Sequence, residues 1–194
     1  MKKISYFVLI TLVVGLSVSC RTGREIKNLA KCDFRMTTTE NTNIGGVNVQ
    51  NVQSYGELDM LDVAQILTVY QTTKGVPLGI TLNVEARNPN DKLAAMNFME
   101  WIAEIDGMEI ARGVLDKRIE VAPSGGTAIF PIKISADLVK VFSSKQGQDA
   151  ASKGLGLSDG NSRPTRLTLK IKPSISIGKG FVKYPGYIKL NKEF

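Results

Sequence analysis

From Leu78 to Arg87 apolar and polar residues alternate: Leu78, Ile80, Leu82, Val84 and Ala86 share one parity, and Thr81, Asn83, Glu85 and Arg87 hold the other. A period of two turns one set toward a core and the other toward water, which is the pattern of a half-buried strand. Asn88-Pro89-Asn90 ends it, because proline has no N–H and drives the preceding residue out of helical geometry. The same rhythm runs through most of the chain. In Leu29–Thr39 the residues Cys32, Phe34, Met36 and Thr38 alternate with Lys31, Asp33, Arg35 and Thr37, and Val47 and Val49 mark a second strand within Ile44–Val52. In Met96–Ile105 the residues Met99, Trp101, Ala103 and Ile105 oppose Phe98, Glu100, Ile102 and Glu104, and Asp106-Gly107 then predicts a hairpin turn. Further strands are expected over Met108–Leu115, Lys117–Val121 and Thr127–Ile134, with Pro123-Ser124-Gly125-Gly126 as the turn between the last two. Leu167, Leu169 and Ile171 make another, and Phe181–Leu190 the last, interrupted at Pro185-Gly186.

Two segments break the alternation with helical spacing. Ser54-Tyr55-Gly56-Glu57 has the form of a capping box, in which serine and glutamate satisfy free N–H groups at a helix start. Met60, Val63, Ala64, Leu67 and Tyr70 follow at helical intervals up to about Gln71, so this side of the helix is expected to pack on the strands. A helix that also bound a partner would need a second apolar face, which the pattern lacks. Ser135 is expected to cap a short helix carrying Leu138, Val141 and Phe142 on one side. Ser143–Pro164, rich in Gly, Ser, Asp, Asn and Lys, reads as a loop.

The N-terminus reads as an address. Met1-Lys2-Lys3 is a positive start, and the apolar run Ile4–Val18 is shorter than the ~20 residues a membrane span needs. Leu16-Ser17-Val18-Ser19 directly before Cys20 resembles the lipobox of bacterial lipoproteins, which implies cleavage before Cys20 and diacylglycerol on its sulfur. Ser17 stands where leucine is usual. The alternative is an ordinary signal peptide, with Cys20 free to pair with Cys32. The expected layout is a leader over 1–19, a tether over 20–28, strands and a helix over 29–75, and the main domain over 76–194. No acidic cluster follows Cys20, so a periplasm-facing anchor on the outer membrane is expected.

Composition narrows the chemistry. The chain has 194 residues, 43% hydrophobic and 22% charged, enough for one globular domain. It contains no histidine, which excludes Ser-His-Asp and Cys-His nucleophile pairs and every histidine metal site. Two cysteines are too few for a structural zinc site, and Cys32 fits a small core residue better than a catalytic thiol. Gly154-Leu155-Gly156-Leu157-Ser158-Asp159-Gly160 lacks the Gly-Lys-Ser/Thr ending of a phosphate loop. Asp159, Asn161 and Ser162 lack the alternating ligands of a calcium loop, and Glu100, Glu104 and Asp106 read as a solvated strand face. Neither cofactor nor metal is expected.

The ordered set Asn88-Pro89-Asn90, Ile105-Asp106-Gly107, Ile110-Ala111-Arg112-Gly113, Pro123-Ser124-Gly125-Gly126 and Ala128-Ile129-Phe130-Pro131-Ile132 resembles the type-2 late-embryogenesis-abundant domain, also called the water-stress-and-hypersensitive-response domain. The resemblance is best over Val76–Leu138 and weaker over Arg166–Leu190. With the leader, the layout is similar to lipoproteins of the Bacteroides group that carry this domain. It implies an all-β fold: an antiparallel fibronectin type III/immunoglobulin-like β-sandwich, here with one or two short accessory helices. It carries over no catalytic motif and no defined ligand, and it leaves Asn88-Pro89-Asn90 as a structural turn.

Charge supplies the candidate surface. The formal charge is +7, and loss of Lys2 and Lys3 with the leader takes it to +5. From Arg163 to the C-terminus eight basic residues stand against Glu193 alone, with Phe181, Tyr184 and Tyr187 interleaved. Lys170, Lys172, Lys179 and Lys183 are therefore the candidates for binding an anionic envelope lipid or polysaccharide. Export argues against nucleic acid, and the bland reading is that these lysines only blunt edge strands. The function expected is a non-enzymatic, lipid-anchored binding or stress-protective module of the cell envelope. The alternatives are a structural subunit of an envelope complex, supported by an exposed apolar patch on the helix, or a carrier or enzyme with a pocket between sandwich and helix.

Overall fold

The computed structural model describes residues 25, 27–52, 57–143, 166–177 and 180–193. Strand β3 (Pro77–Arg87) is central to the first sheet, flanked by β1 (Asp33–Ile44) and β6 (Thr127–Asp137), with β2 (Val47–Asn48) outside β1. In the second sheet β4 (Ala94–Ile105) lies between β5 (Met108–Val121) and β7 (Arg166–Ile177). Strands β8 (Gly180–Lys183) and β9 (Ile188–Glu193) both pair with the far edge of β7, and every pairing is antiparallel. The chain crosses from β3 to β4, turns through Asp106-Gly107 into β5, then crosses back to lay β6 beside β3. This Greek-key sandwich is the all-β fold that the alternation predicts.

The parity readings explain the core. Leu82, Val84 and Ala86 from β3 and Phe130, Ile132 and Ile134 from β6 meet Met99, Trp101 and Ala103 from β4 and Leu169, Ile171 and Ile175 from β7, all buried. Fully burying each large apolar side chain is worth about 1.5–3 kcal/mol. The edges are protected against pairing with other chains. Strand β2 is two residues long, and β6 carries Pro131, which has no N–H to offer. Strand β5 is studded with Asp116, Lys117, Arg118 and Glu120. The outer edge of β7 is broken where Tyr184 to Tyr187 part β8 from β9 around Pro185-Gly186, as the sequence predicts.

Several expectations are corrected. The predicted strands Met108–Leu115 and Lys117–Val121 are one continuous β5. In β1, register shifts after Met36 and after Glu40 each insert a residue, so Thr38, on the predicted core parity, is exposed. The strand expected to run to Val52 pairs only at Val47 and Asn48, closing a hairpin through Gly45 and Gly46, both at positive φ. Helix α1 (Met60–Thr73) starts at Asp59, whose side chain accepts from the Asp62 N–H while Asp62 returns a bond to the Asp59 N–H. Its capping box is thus Asp59–Asp62; Ser54 to Gly56 lie outside the described residues. Helix α2 (Leu138–Ser143) is capped by Asp137, whose Oδ1 accepts from the Val139 N–H at 3.1 Å, while Ser135 belongs to β6. Strand β1 is a full member of the first sheet, joined to β3 along most of its length.

Cys32 is buried, its thiol donating to the Asn28 carbonyl at 3.5 Å. Burial first, and the neighbouring Asp33 charge second, push the thiol up to about 11 from an ordinary 9.0. A pKa raised by folding gives stability that is present below the ordinary value and is lost as pH rises from about 9 through 11. In the native chain at pH 8, Cys32 is therefore expected to resist iodoacetamide and to react promptly in denaturant. Native-state labelling as fast as in denaturant would contradict this burial.

Candidate functional site

The outer face of the second sheet gathers the residues that the sequence singled out separately. Register sets Lys172 of β7 directly across from Glu100 of β4, and Lys170 across from Ile102, one step diagonal from Glu104. The two carboxylates and the lysines, distant in sequence, therefore alternate on one surface. Lys170 is ion-paired with Glu104 in a half-buried contact, the side chains 25% and 12% exposed. Lys183 reaches Glu100 from β8. That hydrogen bond, with the Lys183 and Lys172 charges adding to it, holds the Glu100 carboxyl below the usual carboxylate range. Lys172 itself stands over the Tyr187 ring, 5.4 Å from the centroid. Nearby the Phe98 and Phe181 rings meet at 5.7 Å, with Phe181 58% exposed.

This arrangement redistributes the basic patch. Part of the positive excess of the C-terminal third is met by Glu104 and Glu100 of β4, which pair with Lys170 and Lys183, and Arg166 is paired with Glu193 at 2.8 Å. Of the four candidate lysines, Lys170 and Lys183 are each held by a carboxylate and Lys172 is turned onto an aromatic ring. Lys179 and Cys20 lie outside the described residues, as do Asp159, Asn161, Ser162 and the Gly154–Gly160 stretch. Among the described residues no group of three or more His, Cys, Asp or Glu side chains is placed to hold a metal ion, and no helix is long and apolar enough to cross a membrane.

Between the end of α1 and the first sheet lies an open cleft of about 390 Å³ lined by Thr73, Gly75, Pro77, Ser135, Ala136 and Asp137. Its carboxylate is committed: Asp137 Oδ1 accepts from the Val76 N–H at 3.0 Å as well as from Val139. Asp137, the acid among the described lining residues, thereby ties the starts of β3 and α2 to the end of β6.

Asn88-Pro89-Asn90 lies at the opposite pole. Asn88 is fully buried; its Nδ2 donates to the Lys92 carbonyl at 2.9 Å and the Val121 carbonyl at 3.0 Å. Its Oδ1 accepts from the Asn90 N–H and Asn90 Nδ2. Its backbone exchanges bonds with the turn at Gly125 and Gly126, and Ser124 donates to the Asn90 carbonyl. Asn90 Nδ2 also donates to the Asn28 carbonyl at 3.0 Å, and Asn28 to that of Leu93 at 3.0 Å. Each polar group of Asn88 is occupied within the chain, so the motif is a knot that ties the N-terminal segment to this end of the sandwich.

The feature that alternation alone does not disclose is the orientation of α1. None of its residues is buried. The stripe expected to face the sheet points outward, with Met60 87%, Val63 43%, Leu67 52% and Tyr70 44% exposed. The helix meets the sandwich through its other side, where Ile66 closes on Gly45 and Gln65 donates to the Gly45 carbonyl at 3.5 Å. Helical spacing identifies an apolar stripe but not what lies opposite it.

No family model matches the chain, and no curated protein matches it. Among solved structures, a protein from Archaeoglobus fulgidus aligns over 61% of this chain and 84% of its own, at 15% identity and a TM-score of 0.39. The solution structure of AT1g01470 from Arabidopsis thaliana aligns over 84% of this chain and 76% of its own, at 12% identity and a TM-score of 0.35. Likeness at this level assigns neither family nor activity.

Proposed function

We propose that the chain is a lipid-anchored, non-catalytic protein of the cell envelope, a type-2 late-embryogenesis-abundant-like sandwich that works by presenting surfaces. The observation that carries this reading is the polarity of the molecule. The N-terminal segment is knotted to one pole through Asn28 and Asn90, while α1 stands at the other, beside the start of β3 and the end of β6. Eleven residues of β3 separate the two poles by roughly 35 Å. An acylated Cys20, joined to Glu25 by at most about 18 Å of chain, would hold the knotted pole near the outer membrane and leave α1 facing away. The lysine-aromatic face runs between the poles. Lys172 is its best contact for an anionic lipid headgroup or acidic polysaccharide, since Lys170 and Lys183 already have carboxylate partners. The second reading, a structural subunit of an envelope complex, is favoured by the exposed stripe of α1.

Intact-mass analysis of protein from native membranes tests the anchor. The expected mass is that of a chain cut before Cys20 and carrying acyl chains, and Cys20→Ala is expected to release the protein to the soluble fraction. An unlipidated chain, or a Cys20–Cys32 disulfide, would overturn the anchored reading. The released Cys20→Ala chain then tests the surface: retention on anionic rather than zwitterionic vesicles, weakened by Lys172→Glu, is expected if the sheet face binds anionic lipid. No preference would leave the anchor as the chain's link to the membrane.

A further inference from the structure

We infer that α1 is an interface between two copies of this chain, paired antiparallel about a two-fold axis. The inference goes beyond the envelope reading and does not depend on the anchor. Met60, Val63, Leu67 and Tyr70 are spaced three, four and three residues apart, the a and d positions of a heptad seam, and all are exposed. Such a seam fits another helix better than a lipid surface. An interfacial helix carries lysine or arginine along its polar face, whereas Asp62 is the sole charged residue within Met60–Thr73. The ends specify the occupant. The N-terminal end carries Glu57 and the Asp59–Asp62 capping pair, and the C-cap is Lys74. In an antiparallel pair centred on the stripe, Met60 packs on the partner copy's Tyr70 and Val63 on its Leu67. Lys74 then falls at the level of the other copy's Glu57 and Asp59, and the two helix dipoles oppose. Parallel pairing would set acid against acid and lysine against lysine. The stripe thus complements its own reversed copy in both shape and charge.

One helix face is small beside the ~1,200–2,000 Å² buried in stable complexes, so the dimer is expected to dissociate at tens to hundreds of micromolar, on the order of ordinary weak association. The test is sedimentation equilibrium of the Cys20→Ala chain, which leaves α1 intact, across that concentration range. A monomer–dimer equilibrium is expected, weakened about tenfold or more by Leu67→Asp and less by Lys74→Glu. Both positions are exposed, so far-UV circular dichroism should remain unchanged. Orientation is read by mixing Met60→Cys and Tyr70→Cys chains in the Cys20→Ala background and oxidising them. Antiparallel pairing cross-links the two variants to each other, whereas parallel pairing cross-links each variant with itself. A chain monomeric at every concentration, a dimer indifferent to Leu67→Asp, self-cross-linking of Met60→Cys alone, or vesicle insertion of α1 in place of dimerisation would each overturn the inference.

Discussion

Replacing Asn88 with alanine is expected to lower the unfolding free energy by about 3 kcal/mol, a large share of the ~5–15 kcal/mol typical of a domain. The side chain is fully buried and serves four bonds: two donated to the carbonyls of Lys92 and Val121, two accepted from Asn90. Truncation leaves the buried Val121 carbonyl, the part-buried Lys92 carbonyl and the Asn90 N–H without that partner, and each orphaned group costs about 1–3 kcal/mol unless water enters. The melting temperature should fall by roughly 6–12 °C for a chain of this size. Asn90→Ala, at a half-buried site, is expected to cost less, and Pro89→Ala, at an exposed one, least. Asn88→Asp supplies an independent sign. It sets a carboxylate oxygen where Nδ2 faced two carbonyls, so its folded pKa is raised above about 3.9 and the variant should regain stability as pH falls through that folded value. An Asn88→Ala chain with unchanged melting would refute the structural role of the knot.

How far the sequence discloses this molecule depends on which signal a feature leaves. Strands with one face in a core leave period-two alternation, so β3, β4 and β7 are legible, as is the break in the last strand at Pro185-Gly186. The inserted residues of β1 leave no such mark, because Thr38 satisfies the parity rule on paper and only pairing with β3 shows the shift. The helix start illustrates competing signals: Ser54–Glu57 and Asp59–Asp62 share the same spacing, and the second pair forms the box although aspartate stands where glutamate or glutamine is usual.

The candidate site is less legible still, because charge is read along the chain but acts across the sheet. Arg163–Phe194 is strongly basic as a segment, yet antiparallel pairing of β7 with β4 inserts Glu100 and Glu104 among its lysines. Two features that each look weak alone, a carboxylate pair and a lysine run, are two halves of one face, on which Glu104 and Glu100 pair with Lys170 and Lys183. The stripe of α1 fails for the converse reason. Its spacing is correct, but burial is a property of what lies opposite, and Gly45 admits Ile66 on the other side.

Gly113→Ala is expected to destabilise the fold by about 2 kcal/mol despite adding a single methyl group. Gly113 pairs directly with Trp101 across β4 and β5. A Cβ there would sit 2.8 Å from the indole Cε2 and closer still to Cζ2, where van der Waals contact begins near 3.4 Å. The glycine is therefore required by the approach of the ring. Trp101 is only 6% exposed and belongs to the main core, so the indole cannot swing aside without opening it. Two effects act the other way. Alanine stiffens the unfolded chain by ~0.4–1 kcal/mol relative to glycine, and β5, an edge strand, can bow outward. A clash with a packed indole exceeds the first, and bowing strains the pairing with β4. Because Trp101 is the sole tryptophan, its emission reports the outcome: a red shift and a lower denaturation midpoint are expected together. Adding Trp101→Phe to Gly113→Ala should recover part of the loss, since the smaller ring vacates the space the methyl needs, and the coupling should exceed ~0.5 kcal/mol in a double-mutant cycle. Additive losses would mean that the two residues do not share the space.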